Sequence, residues 1–190
     1  NYNDVNDWST AKLQYDLNSG TYYTTTLKND TTRNAIESVV WNLGGSSTDN
    51  DVTPSMFYER ERGTTVYTGR PTTWTGKIGL MYPSDYGYAT SGGTTKDRAV
   101  SLATELQDWS RCLSDCKGND YLYNSSLYQW TLTPSSADAR GVFVMHSVGN
   151  VRYETPHTHY AARPALFLKS NIQVDKGTGA KSDPYRLKMQ

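Results

Sequence analysis

At 190 residues the chain is long enough to bury a core, and its formal net charge of zero leaves no basic stripe for nucleic acid and no acidic tail. Hydrophobic residues make up only 36%, yet 15 Tyr and 5 Trp stand against 3 Phe among abundant Ser, Thr, Asn and Gly, which excludes a disordered chain and favours a β-rich extracellular surface. No apolar run approaches the roughly 18 residues of a membrane helix, and a start at Asn1 without a leader reads as a trimmed ectodomain whose anchor is absent.

Asp7-Trp8-Ser9 opens the first predicted helix. Ser9 is placed to cap it, Trp8 to staple onto Leu13, and Leu13 and Leu17 share a face until Asn18-Ser19-Gly20 ends it. Ile36, Val39 and Val40 hold helical spacing, which predicts a second short helix over residues 31–40. Leu43-Gly44-Gly45 then leads into a polar loop, residues 46–54. Residues 57–66, charged and aromatic, read as a strand or an excursion. Residues 77–82 are the strongest early strand, which breaks at Pro83. Tyr82, Ser84, Tyr86 and Tyr88 then alternate along an extended path, with Asp85 placed to bond backbone amides. That stretch reads as a structural corner, matched by Arg163-Pro164 on a neighbouring strand and tied to it by an Asp85–Arg163 ion pair.

Residues 91–95 form a Gly/Thr loop. Asp97 caps a third predicted helix, residues 98–108, whose Ala99, Leu102, Ala103, Leu106 and Trp109 keep helical spacing. Cys112 and Cys116, with three residues between them, read as a local disulfide in an oxidising compartment. Strands follow at 128–132, around Trp130, and at 141–148 and 151–154. The last two flank Gly149-Asn150, a two-residue hairpin signal. Another strand is predicted at 162–168 and, after a Gly/Ser/Asp loop, a last one at 185–187. Two or three short helices early and a twisted, mostly antiparallel sheet built largely from the C-terminal half make one α+β domain, residues 1–190.

Motifs for chemistry are sparse. His157 and His159 lie two apart, as metal ligands on one side of a strand do, but His146 is the only other histidine and no acids are spaced to join them. Asp49-Asn50-Asp51 offers oxygens without the glycine and distant glutamate of a calcium loop. No serine sits in a Gly-x-Ser-x-Gly elbow. Glu59, Glu61, Asp85 and Asp97 set no carboxylate pair by spacing. The expectation is a chain with no catalytic residue, no metal and no cofactor.

The run Tyr128-Gln129-Trp130-Thr131-Leu132-Thr133-Pro134-Ser135, followed by Val142-Phe143-Val144, Gly149-Asn150-Val151 and Ala162-Arg163-Pro164-Ala165-Leu166, resembles the C-terminal part of bacterial surface domains. These are related to the formylglycine-generating-enzyme branch of the C-type lectin fold. Residues 8–18 and 74–90 also resemble segments of the DUF6273-type domains of gut Firmicutes, which often follow prepilin-type N-termini. The resemblance implies a C-type-lectin-like domain outside the cell whose variable face spans residues 135–160. The candidate contact residues there are Ser135, Ser136, Asp138, Arg140, His146, Asn150, Arg152, Tyr153, Glu154, His157, His159 and Tyr160, with Ser147 beside them. Tyr with Ser, Asn and Arg makes an adaptable contact surface, or an ordinary solvated hairpin face. Two departures limit the analogy: no cysteine follows Cys116, which speaks against copper-dependent oxidation, and no calcium-lectin motif is present.

The function expected is therefore a non-enzymatic extracellular domain of a pilin-like or surface-anchored protein, acting in assembly or adhesion. Its partners would be other copies of itself, other pilin-like subunits, or a host or cell-surface glycan or protein. Nucleic acid is not expected, nor a membrane except through an anchor outside this chain. The alternatives are a monomeric ligand-binding module and an enzyme, whose pocket would gather groups of shifted pKa.

Overall fold

The computed structural model describes residues 5–27, 29–90, 95–111, 116, 120–180 and 182–189. Its architecture is mixed α+β, with five short helices and mostly antiparallel sheets. The first cap belongs to Asp7 rather than Ser9. The Asp7 Oδ1 accepts the Ser9 N–H at 2.9 Å and closes a 3-10 turn, Trp8–Thr10. α1 (Lys12–Asn18) then starts from Ala11 without a side-chain cap and buries Leu17. Asn18 pins its far end to the core. Its Oδ1 accepts from the Ile78 N–H at 3.0 Å, and its Nδ2 donates to the Ile78 carbonyl at 2.9 Å.

The predicted helix over 31–40 stops early. α2 (Asp30–Ala35) is capped by Asn29, and Ile36 is already extended. Val39–Asn42 form β1, paired with β2 (Thr73–Gly76) so that Trp41 faces Trp74. Val39 and Val40 keep helical spacing, but β-branched and aromatic side chains pack better on a pleated surface, and cross-strand pairing decides. Residues 57–66 are corrected too, because they begin inside a helix, α3 (Pro54–Glu61). Thr53 Oγ1 accepts the Met56 N–H at 3.5 Å, and Pro54 fills the first position, where its missing N–H is harmless.

β3 (Ile78–Leu80) is wholly buried. The corner after it is α4 (Pro83–Tyr88), a helix and not an extended path. Asp85 does bond a backbone amide, accepting the Tyr82 N–H at 2.9 Å, and this turns the chain into the helix. Helical spacing then separates Tyr86, which is buried, from Tyr88, which is exposed. α5 (Thr95–Ala103) ends before 108, and a separate 3-10 turn, Leu106–Asp108, carries Leu106 and then Trp109 into the interior. Asp97 lies inside this helix, two residues past its start at Thr95, and so is not its cap; residues 91–94 of the predicted loop fall outside the described residues.

A four-stranded sheet divides the interior in the order β6 (Val151–Glu154), β5 (Val142–Met145), β4 (Gln129–Pro134) and β7 (Ala161–Ala162), with β4 and β7 parallel. Its pleat sorts the core. Val144 joins Trp41, Ile78, Leu80, Trp130 and Leu132 on one face. Phe143 and Met145 join Phe57, Tyr86 and Trp109 on the other. With both faces covered, β4 is buried at every position. Each large apolar side chain so enclosed contributes roughly 1.5–3 kcal/mol. Cys116 is buried in the second cluster and disulfide-bonded, whereas Cys112 lies outside the described residues.

The single predicted sheet is instead four among the described residues. β1 pairs β2, β3 pairs β8 (Pro164–Leu166), and β9 (Ile172–Lys176) pairs β10 (Arg186–Met189). β9 occupies a stretch predicted as loop, and three strands lie in the N-terminal half. The β9–β10 turn needs glycine: Gly177 has φ +95°, and a Cβ there would sit 2.3 Å from the Pro184 carbonyl oxygen. Among the described residues, no helix is long and apolar enough to cross a membrane.

Candidate functional site

β5 and β6 form the predicted hairpin, but its turn is longer than two residues. Gly149 N donates to the His146 carbonyl and His146 N to the Asn150 carbonyl, both at 2.8 Å. Ser147 and Val148 make the corner, and Gly149, at φ +96°, takes the left-handed position that follows such a turn. Cross-strand partners share a face, so Val142↔Glu154 and Val144↔Arg152 place Glu154 and Arg152 on the same side as Val144. Tyr153 pairs with Phe143 on the opposite side, with ring centroids 6.0 Å apart.

A row of rings crosses this first face. His146 lies 4.6 Å from Tyr128, Tyr128 stacks on Tyr160 at 5.0 Å and 19°, and Tyr160 meets Trp130 at 5.1 Å. Tyr128 and Tyr160 are half-buried. Glu154 Oε1 stands 3.5 Å from His146 Nε2, an ion-pair distance without a hydrogen bond. Desolvation pushes the His146 pKa down, Glu154 pulls it up and Arg152 pushes it down again. On balance the surroundings favour the neutral imidazole.

The face thus gathers His146, Arg152, Glu154 and Tyr160 from the predicted contact set. It also adds Tyr128, which the sequence reading placed only within a motif. Other members lie elsewhere. Ser135, Ser136, Asp138 and Arg140 belong to the β4–β5 loop at the far end of the strands. Ser135 is buried there, its Oγ accepting the Ala137 and Asp138 N–H groups at 3.2 Å. Asn150 is buried in the turn, and His157 and His159 are exposed on the connection to β7.

The residues read as structural divide as well. Trp130 is buried in the first cluster, and Tyr86 is fully buried, its hydroxyl donating to the Gly149 carbonyl at 2.8 Å. Pro164 pairs with Leu80 across β3 and β8. Arg163 does not pair with Asp85: its Nε donates to Gln129 Oε1 at 2.9 Å and its Nη2 to the Leu122 carbonyl at 3.2 Å.

Two carboxylates stand out that spacing did not mark. Glu61, at the end of α3, is fully buried and joins α4, accepting the Ser84 N–H at 3.0 Å and the Ser84 hydroxyl. Arg62 Nη1 reaches the same carboxylate at 3.2 Å while its guanidinium lies 3.6 Å over the Tyr58 ring. Asp120 is 6% exposed. Its Oδ1 accepts the Leu122 N–H at 2.8 Å, and its Oδ2 is buried without a hydrogen-bond partner among the described residues. Burial pushes both acids up to about 7.

A pocket of about 90 Å³ opens between the N-terminal segment and β4, walled by Trp8, Leu13, Leu80, Trp130, Leu132 and Val142 with Asn6 and Arg70 at its edge. Neither raised acid lines it. Asn6 secures this edge: its Nδ2 donates to the carbonyls of Ser135, Asp138 and Gly141 at 2.8, 2.8 and 3.0 Å. Its Oδ1 accepts from Arg70 Nε at 3.1 Å. Among the described residues, no three His, Cys, Asp or Glu side chains gather to hold a metal. No family model, no curated protein and no solved structure matches this chain.

Proposed function

We propose that the chain is a non-enzymatic extracellular domain that works by contact, a C-type-lectin-like frame holding an adhesive face for a cell-surface glycan or protein. The aromatic row His146–Tyr128–Tyr160–Trp130 carries this reading. Tyr128 and Tyr160, held between His146 and the buried Trp130, offer amphipathic contact area at little conformational cost, and Glu154 and Arg152 beside them add polar selectivity. The Cys116 disulfide supports an oxidising compartment. Both raised acids are sealed in packing away from the pocket, which supports contact over chemistry. Subunit assembly is a second reading, favoured by the exposed β9–β10 hairpin.

Binding arrays of surface glycans and cell-surface proteins test the first reading. The intact chain should retain a ligand, and Tyr160→Ala and Glu154→Gln should each weaken it tenfold or more with an unchanged circular dichroism spectrum. Retention that both variants leave untouched would remove the row from the site.

A further inference from the structure

We infer that the β9–β10 hairpin is a docking surface for a second copy of this chain, seated head to tail on the acidic remainder of its neighbour. The inference rests on the assembly reading and names its interface. An isolated two-stranded hairpin is marginal in water. Among the described residues, β9 and β10 pack closely on each other and on no other helix or strand to a comparable extent. Yet the pair is built as an amphipathic unit. Val174 and Leu187 face each other across it and stay 57% and 48% exposed. Ile172, two positions along, shares their face. The opposite face is polar, with Lys188 Nζ 3.5 Å from Asp175 Oδ1. Just before the hairpin, Leu166, Phe167 and Leu168 are exposed as well. Exposed apolar side chains gathered on one face of a hairpin mark a surface that another protein covers.

Charge selects the occupant. Residues 169–190 hold five basic side chains, Lys169, Lys176, Lys181, Arg186 and Lys188, against Asp175 and Asp183, a balance of +3. The whole chain is neutral, so residues 1–168 carry −3. Two hairpins laid face to face would bring like charges together, whereas a hairpin on the remainder of another copy brings opposite ones. Different patches on the two copies make a heterologous contact, which propagates unless a rotation closes it into a ring.

Sedimentation of the intact chain from about 1 µM to 1 mM tests this. The average mass should rise with concentration and rise less at high salt, as screening weakens the charge contribution. Val174→Asp, which sets an acid on the apolar face, should weaken association tenfold or more, and Lys176→Glu should weaken it in the same direction. Near-ultraviolet circular dichroism should stay that of the parent chain. Association that neither variant alters would overturn the hairpin interface while leaving assembly standing. A chain that stays monomeric throughout would overturn both. A monomer that instead binds phosphatidylglycerol vesicles through the hairpin would replace the second copy with an anionic membrane.

Discussion

Glu61 and Asp120 are both carboxylates taken almost wholly out of water, and both are pushed up to about 7. Their surroundings differ. Glu61 meets three donors, two from Ser84 and one from Arg62, and so fastens the end of α3 to the start of α4. Among the described residues, Asp120 bonds the Leu122 amide through one oxygen and no partner through the other, while the Arg163 guanidinium that favours its charge donates its hydrogen bonds elsewhere. Burial dominates both ionisations, but only the first carboxylate holds two elements together. A raised pKa reports desolvation. It does not report how much structure hangs on the group.

The largest effect should come from Glu61→Ala, which strands the Ser84 N–H and hydroxyl in a dry interior and costs about 3–4 kcal/mol. In a chain of this size that lowers the melting temperature by roughly 10 °C in calorimetry. Asp120→Ala should cost less than half as much, and equal losses would erase the distinction.

The next effect is on pH dependence. Folded, both acids keep their protons to near 7, whereas their ordinary values are 4.5 and 3.8. Between those limits the unfolded chain binds fewer protons, so their contribution to stability is full below about 4, falls as pH rises towards 7, and is flat above. The loss is roughly 3 kcal/mol for Glu61 and roughly 4 kcal/mol for Asp120. Asp120→Asn removes one charge at nearly constant shape. It should melt well above the parent at pH 8, by less at pH 5, with the gap closing towards pH 3, and parallel melting curves across that range would refute the assignment.

The smallest effect belongs to Ser84→Ala. Removing one hydroxyl donor while leaving the amide should cost about 1–2 kcal/mol. It should also raise the pH at which Glu61 ionises, visible as a shifted carboxyl resonance in NMR.

Legibility in the sequence followed how local the deciding interaction was. The β5–β6 hairpin announced itself because alternation and a glycine suited to positive φ lie within a dozen residues. Val39 and Val40 fit two periods at once, and only their partners Gly76 and Thr75, more than 30 positions away, settle them as strand. Thr53-Pro54 was a sound helix start hidden at the edge of a polar loop. At the candidate face, the resemblance pointed to His146, Arg152, Glu154 and Tyr160, but Tyr128 joins them only because β7 lies beside β4. Asp120 gave no local sign, since its burial depends partly on a bridge to Thr90. Ser135 and Asn150, read as contact residues, turned inward because loop and turn segments also need to be closed against the core.

Asn6 has a mechanical consequence. One side chain grips three carbonyls of the β4–β5 loop while its own N–H bonds the Ala139 carbonyl at 2.9 Å. A pull on the segment before it would load these bonds together, not peel them one by one. Tension would then pass straight into the strands at the centre of the molecule, so that α1 and the pocket beside it stay shielded until the clasp gives way.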